Sequence, residues 1–282
     1  MSASARRLGS REWWRTARAA NRRYREVFGR RPDLIRARRH SERIQRAKLF
    51  QRDPRLPALG DKIEAKRLVA DLVGEQYVVP TLWFGEGLPP RSERTWPRPF
   101  FVKASAGSSM QVRVPDDGPP RWRRVERKVD RWLEESYGAP GAEWHYALMP
   151  RRILVEPHLG DHDRLPDDYK LWVFHGQVKI VHWLTDRGTP EFGGRFLDRD
   201  WTEAFRSHRF RTHERMPHVP RSWETMVEIA ETLAQDFPFV RVDLYEVDGR
   251  PMVGELTFTP TAGFHRLDPP EADLMLGAFW RR

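Results

Sequence analysis

Two pairs of apolar runs constrain this chain most. Residues 169–174 and 177–184 are separated only by His175-Gly176, and residues 239–247 and 251–258 flank Asp248-Gly249. A residue–glycine break between strand-like runs reads as a tight β-hairpin, because glycine takes positive φ without steric cost. Helical patterns lie around the hairpins. Asp61 caps a helix running through Leu68, Val69 and Leu72 to Gly74, with Glu64 placed as a capping box requires. Residues 121–137 carry Val125, Val129, Trp132 and Leu133 on one side, and residues 222–236 do the same with Met226, Ile229, Ala230 and Leu233. Shorter strands are expected at 77–84, 100–103, 112–114 and 153–155. Strands and helices alternate without a strict βαβ rhythm, so the expected class is α+β.

No apolar run approaches the roughly 20 residues needed to cross a bilayer. The N-terminus has basic residues but no apolar stretch behind them, which argues against a secretory leader. With no cysteine among 282 residues, thiolate metal sites, disulfides and cysteine nucleophiles are excluded, and a cytoplasmic setting is expected. Charge is uneven. Residues 1–58 hold 18 Lys/Arg against 5 Asp/Glu, a balance of +13, and the total of +10 leaves −3 for the rest. We therefore expect a basic, mainly helical N-terminal segment, 1–58, and a catalytic region, 59–282. Residues 1–10 read as an irregular start. Beyond them Trp13, Trp14, Ala17, Ala20, Tyr24 and Phe28 recur at helical spacing up to the break at Pro32. Such a segment suits an anionic partner or a membrane surface, and it equally suits solvated helices with arginine on their outer faces.

Three clusters carry chemistry. The first is Phe100-Phe101-Val102-Lys103 followed by Ala104 to Ser109. Small residues let backbone N–H groups approach phosphate oxygens, and a lysine adds charge; a strand-end lysine beside a surface turn gives the same pattern. The second is the C-terminal hairpin. A two-residue turn at 248–249 puts Asp243 and Glu255 on opposite faces, whereas a three-residue loop, 247–249, puts them on one face with Arg241 and Thr257. Val-Asp-Gly suits the longer loop, and two carboxylates on one face would hold magnesium. A polar outer face of a surface hairpin is the alternative. The third is Ile153-Leu154-Val155-Glu156-Pro157-His158-Leu159, where an acid at a strand end can accept from an adenine amine or a ribose hydroxyl. Asp168-Tyr169-Lys170 follows. His158 and His162 read as ordinary polar residues, and the twelve tryptophans mainly as core. No G-x-S-x-G elbow supports hydrolase chemistry, and the small-residue loop is not a Walker A motif.

The order of these pieces resembles the ATP-grasp superfamily and, more narrowly, the TupA-like ATP-grasp family, associated with teichuronic acid and other cell-surface polysaccharide synthesis. The matching stretches are RDPRLPALGDK (52–62), EWHY (143–146), PDDYKLWVFHG (166–176), DFPFVRVDLYEVDG (236–249) and GELTFTP (254–260). The resemblance implies two α+β subdomains gripping ATP. It implies that Lys62 and Lys103 contact the triphosphate and that Ser105, Ala106, Gly107, Ser108 and Ser109 form the covering loop. Glu156 and Leu159 would line the adenine hinge. Lys170 would stabilise the transferred phosphoryl group, Arg241 an acyl phosphate, and Asp243, Glu255 and Thr257 would hold Mg2+. The superfamily pattern has asparagine where this chain has Thr257.

The implied reaction is ligation of a small or sugar-linked carboxylate to an amine through an acyl phosphate, in the cytoplasm or peripherally at the membrane. Rival readings are a kinase on the same fold, a sugar-transfer role in the same pathway, and a non-catalytic binder of anionic polymer or membrane acting through the basic segment. Nucleic acid is not an expected partner.

Overall fold

The computed structural model describes residues 10–135, 137–138, 141–161 and 164–280, with side chains from Trp14 onward. The expected irregular start therefore lies almost wholly outside the described residues, as do the Trp13 side chain and His162. In chain order, α1 (Ser10–Phe28), α2 (His40–Phe50), α3 (Leu56–Gly60) and α4 (Lys62–Val73) come first. Then follow β1 (Trp83–Gly85), β2 (Phe100–Ala104), β3 (Gln111–Val114), α5 (Trp122–Glu134) and β4 (Ile153–Pro157). The remainder is β5 (Asp168–Phe174), β6 (Gln177–Thr185), β7 (Gly193–Leu197), β8 (Glu203–Ser207), α6 (Trp223–Ala234), β9 (Phe239–Val247), β10 (Arg250–Thr257), β11 (Leu267–Asp268) and α7 (Ala272–Ala278).

The strands form a four-stranded sheet, β1-β4-β2-β3, and a seven-stranded sheet, β10-β9-β5-β6-β7-β8-β11. Within both, neighbouring strands pair antiparallel. In the small sheet Phe100, Val102, Ala104, Ile153 and Val155 pack on Val125, Val129 and Trp132 of α5. Because strand side chains alternate, Phe101 and Lys103 then take the opposite face. In the large sheet the back face, with Leu171, Val173, Val240, Val242 and Leu244, packs on Met226, Ile229, Ala230 and Leu233 of α6. Burying each of the larger side chains is worth ~1.5–3 kcal/mol.

The front face is divided. At one end Trp172, Phe174, Phe196 and Phe239 form a second core with Ile44 of α2 and Leu276 of α7. At the other end stand Asp168, Lys170, Asp243 and Tyr245, aligned by the pairing of β5 with β9. Helix α2 closes this face further. The Ser41 backbone N–H and hydroxyl donate to the two oxygens of Asp273 at 2.8 and 2.6 Å. Gln45 Nε2 donates to the Ala262 and Gly263 carbonyls, and Lys48 Nζ to those of Gly141 and Ala262.

Some expectations give way. Residues 77–84 make no long strand: Pro80 has no N–H to give a ladder, Val78 forms a lone bridge to Val253, and pairing starts at Trp83. Strands β7 and β8 carry no strong alternation in sequence and were not expected. Among the described residues no helix is long and apolar enough to cross a membrane.

Candidate functional site

The C-terminal hairpin sets the site. Arg250 pairs with Val247, so the turn is the two-residue one, with Asp248 at φ 52° and Gly249 at φ 72°. The expected three-residue loop is not present. Asp243 and Glu255 nevertheless share a face, because a β-bulge at Gly254 shifts the register between Val253 and Glu255. Past the bulge Glu255 lies directly opposite Asp243, and Thr257 opposite Arg241. Glycine is required at the bulge, since a Cβ there would stand 2.7 Å from Cε2 of Tyr245.

Cations from β5, β9 and the segment after β6 converge on the carboxylates. Lys170 lies beside Asp243 in the β5–β9 register. Its ammonium bonds Asp243 Oδ2 and lies 3.0 Å from Asp168 Oδ1. Arg241 grips Asp243 bidentately, Nε to Oδ1 at 2.6 Å and Nη2 to Oδ2 at 2.7 Å, and donates from Nη2 to the Thr257 hydroxyl at 3.0 Å. Arg187 holds Asp168 at 2.6 Å. Burial pushes the Asp168 carboxyl up, but Lys170 and Arg187 outweigh it and hold it below its ordinary value. Burial likewise opposes the charge on Arg241, and Asp243 more than restores it. Glu255 differs from Asp243: no hydrogen bond or ion pair engages it among the described residues.

The opposite wall comes from the small sheet and α4. Lys103 and Lys66 converge on Glu156, each at 2.5 Å. Burial raises the Glu156 carboxyl, yet the two lysines overcome this and keep it below the ordinary range. Asp61, fully buried, caps α4 through the Ile63 and Glu64 N–H groups and takes bonds from Ser105 Oγ at 2.7 Å and Arg152 at 2.9 Å. Only half of the capping box is made, because Glu64 turns its carboxylate to Arg152 and Arg67. Lys62 Nζ donates to the Gly107 carbonyl at 2.7 Å, tying α4 to the small-residue loop.

Between the walls lies a cleft of about 660 Å³. Of the residues expected at the site it gathers Lys62, Lys103, Gly107, Ser108, Ser109, Lys170, Arg241, Asp243, Glu255 and Thr257. Ser105 is not on it, since its hydroxyl is spent on Asp61, and Ala106 faces a separate small hollow. Glu156 and Leu159 line a side pocket with Phe101, Pro157 and Tyr245. His158 stacks on Phe101 with rings 5.8 Å apart, an ordinary packing role. The sequence reading gave no role to Asp168, Arg187, Lys66 or Glu143. Lys66 had a signal, standing one helical turn beyond Lys62, and Glu143, which lines the cleft and accepts from the Thr259 hydroxyl, opens the EWHY stretch; Arg187, in an irregular segment, had none.

Among the described residues no three His, Asp or Glu side chains gather into a metal cage. Magnesium does not need one: it is ordinarily held by one or two carboxylates, with phosphate oxygens and waters completing the shell. Unengaged Glu255 facing Asp243 fits that pattern. The Thr257 hydroxyl, occupied by Arg241, is the weaker donor of the three.

A family profile described as TupA-like ATPgrasp matches residues 42–281. No curated protein matches. Among solved structures, the L-amino acid ligase from Bacillus licheniformis is 14% identical with a TM-score of 0.48, over 87% of this chain and 56% of that one. D-alanine–D-alanine ligase from Helicobacter pylori is 15% identical with a TM-score of 0.43, over 79% and 61%. The VanG D-Ala:D-Ser ligase from Enterococcus faecalis is 16% identical with a TM-score of 0.44, over 79% and 59%. The chain thus spans under two thirds of the length of these proteins.

Proposed function

The chain belongs to the TupA-like ATP-grasp family and has its α+β ATP-grasp fold, and from this we propose that it is a magnesium-dependent, ATP-using carboxylate–amine ligase of cell-surface polysaccharide synthesis. The observation that carries the reading is the register that puts Asp243 opposite Glu255, Arg241 opposite Thr257 and Lys170 beside Asp243. In this reading the triphosphate lies between Lys103 and Lys62 on one wall and Lys170 on the other, under Gly107 to Ser109. Adenine takes the side pocket at Leu159 and Phe101. Magnesium, held by Asp243 and Glu255, supplies charge neutralisation at the phosphates.

The chain's own residues then do three things. Lys170, fixed by Asp168 and Asp243, faces charge that grows as the γ-phosphoryl group passes to a substrate carboxylate. Arg241, fixed by Asp243 and Thr257, supplies a delocalised cation for the acyl phosphate so formed. The two walls exclude water, so that an amine rather than water attacks the acyl carbon and phosphate leaves. The division into a basic segment, 1–58, and a catalytic region, 59–282, belongs to this proposal, with α2 as the contact between them. So does a cytoplasmic location.

Calorimetry with a non-hydrolysable ATP analogue tests the reading. Glu255→Gln is the variant of choice, because Glu255 supports no other side chain and its loss leaves the fold intact. Micromolar binding that needs magnesium in the wild type and is weakened in Glu255→Gln supports the site. Wild-type protein that binds no nucleotide with or without magnesium would sink it. A bound nucleotide then justifies mass-spectrometric screening of acid and amine pairs, in which a product one water lighter than its parts identifies ligation and one heavier by a phosphate identifies a kinase.

A further inference from the structure

Buried carboxylates around the site are matched to cations, with one exception. Asp61 meets Arg152, Glu156 meets Lys66 and Lys103, Asp168 meets Lys170 and Arg187, and Asp243 meets Lys170 and Arg241. Glu143 is 8% exposed and lines the cleft, yet among the described residues no lysine, arginine or histidine forms an ion pair with it. Its carboxylate accepts from the Thr259 hydroxyl at Oε1. Lys48 acts on Glu143 through space, but its ammonium is turned to the Gly141 and Ala262 carbonyls. Burial raises the Glu143 carboxyl above its ordinary value, and Thr259 and Lys48 offset this in part. A buried carboxylate without a partner is costly. One that borders an open cleft is matched by a cation brought from outside.

The walls beside Glu143 are aromatic. Tyr137 and Tyr146 line the same cleft, with their rings 4.8 Å apart and 76° between planes. Gly138 keeps this corner tight, since a Cβ there would stand 2.8 Å from the Glu143 carbonyl oxygen and 2.9 Å from Tyr146 Cβ. Burial, then Glu255 and Glu143, push the Tyr146 hydroxyl well up, so both carboxylates bear on that ring. Thr259, which holds Glu143, stands two residues after Thr257, whose hydroxyl Arg241 binds. We propose that Glu143, Tyr137 and Tyr146 form the subsite for the primary amine of the second substrate, which enters the cleft as an ammonium ion. Its place in the reaction rests on the ligase reading, whereas the cation site stands on its own geometry. An ammonium group gains from a carboxylate and from the faces of tyrosine rings together. Magnesium is the rival cation, and the lining argues against it, because magnesium takes an octahedron of oxygens and gains nothing from rings.

Saturation-transfer NMR on the full chain tests this, with n-butylammonium as the probe and n-butanol as its uncharged counterpart. Each is titrated with and without magnesium and a non-hydrolysable ATP analogue. The expected result is millimolar binding of butylammonium, with transfer from tyrosine ring protons, and no binding of butanol. Glu143→Gln removes the charge and should weaken butylammonium binding about tenfold or more. Tyr146→Leu removes one ring and should weaken it roughly threefold. Circular dichroism checks that each variant folds, and Thr259→Val, which releases Glu143 while keeping its charge, carries the test if Glu143→Gln does not. It too should weaken butylammonium binding. Equal affinity for butanol and butylammonium, unchanged butylammonium binding in the folded variants, or competitive displacement by magnesium without nucleotide overturns the proposal. Wild-type protein that binds the ATP analogue but no butylammonium overturns the subsite and leaves the ligase reading standing. Butylammonium binding to a protein that binds no nucleotide keeps the subsite and removes the ligase reading.

Discussion

Replacing Glu156 with glutamine asks whether that carboxylate serves the protein's own lysines or a nucleotide. Glu156 is 4% exposed, and its two oxygens each lie 2.5 Å from a lysine, Lys66 or Lys103. The amide keeps the shape and removes the charge, leaving two ammonium groups around a neutral side chain. Removing one partner of a buried ion pair costs ~3–5 kcal/mol. The lysine side chains keep 12% and 18% exposure, so they can turn partly to water, and the lower end, about 3 kcal/mol, is expected. For a domain of this size that lowers Tm by roughly 6–12 °C. The effect has a pH signature. Glu156 has a folded-state pKa below its unfolded one, since the lysines outweigh burial. Its stabilisation is therefore complete above the ordinary carboxylate range and fades as pH falls through the depressed value. Urea melts of wild type and Glu156→Gln should be far apart at pH 7 and converge in acid. Coincident melts at pH 7, combined with weaker ATP-analogue binding by the variant, would refute the reasoning and return Glu156 to the adenine.

Gly254→Ala places a Cβ 2.7 Å from the Tyr245 ring; a loss of ~1–3 kcal/mol is expected in urea melts, together with weaker magnesium-dependent nucleotide binding as Glu255 shifts. Gly263→Ala combines φ +73° with a Cβ 2.7 Å from Ile44 Cγ2, so a thermal melt should show a loss of about 2 kcal/mol or more. Lys48 is buried and its pKa is pulled down to about 7, with Glu143 only partly opposing this. The unfolded chain then holds that proton more tightly, so stability should rise with pH from about 7 towards the ordinary lysine value near 10.4. Lys48→Met should flatten that rise in urea melts at pH 7, 8.5 and 10. Asp243→Asn removes the anchor shared by Lys170 and Arg241; it should destabilise the apo protein as well as impair binding, whereas Glu255→Gln should impair binding alone, and paired melts with calorimetry separate the two.

Much of this was legible in the sequence, for identifiable reasons. The hairpins at His175-Gly176 and Asp248-Gly249 announce themselves by periodicity and turn residues, and the buried stripe of α6 by its spacing. Asp243 and Glu255 were paired correctly from an incorrect premise, since the loop is the short one and Gly254 makes up the difference. A bulge changes strand parity by one residue and leaves no mark beyond a glycine. The fate of Glu156 was hidden for another reason. Its partners arrive from α4 and β2, and only the tertiary fold shows that two lysines occupy both its oxygens. Ser105 looked like part of a phosphate loop because its neighbours are small; that it faces Asp61 depends on a helix start placed far from it in the chain.

The bond between Ser41 and Asp273 joins residues 232 positions apart. Helix α2 emerges long before α7 during synthesis, yet the two cover the same aromatic sheet face. That face cannot be sealed until α7 has been made. Closing so long a loop places the step late in folding, because its entropy is lost before the contacts reward it. Until then Trp172, Phe174 and Phe239 stand open on a growing chain, the stage at which such intermediates aggregate. The nascent protein is thus most vulnerable along the edge where α2 and α7 finally meet.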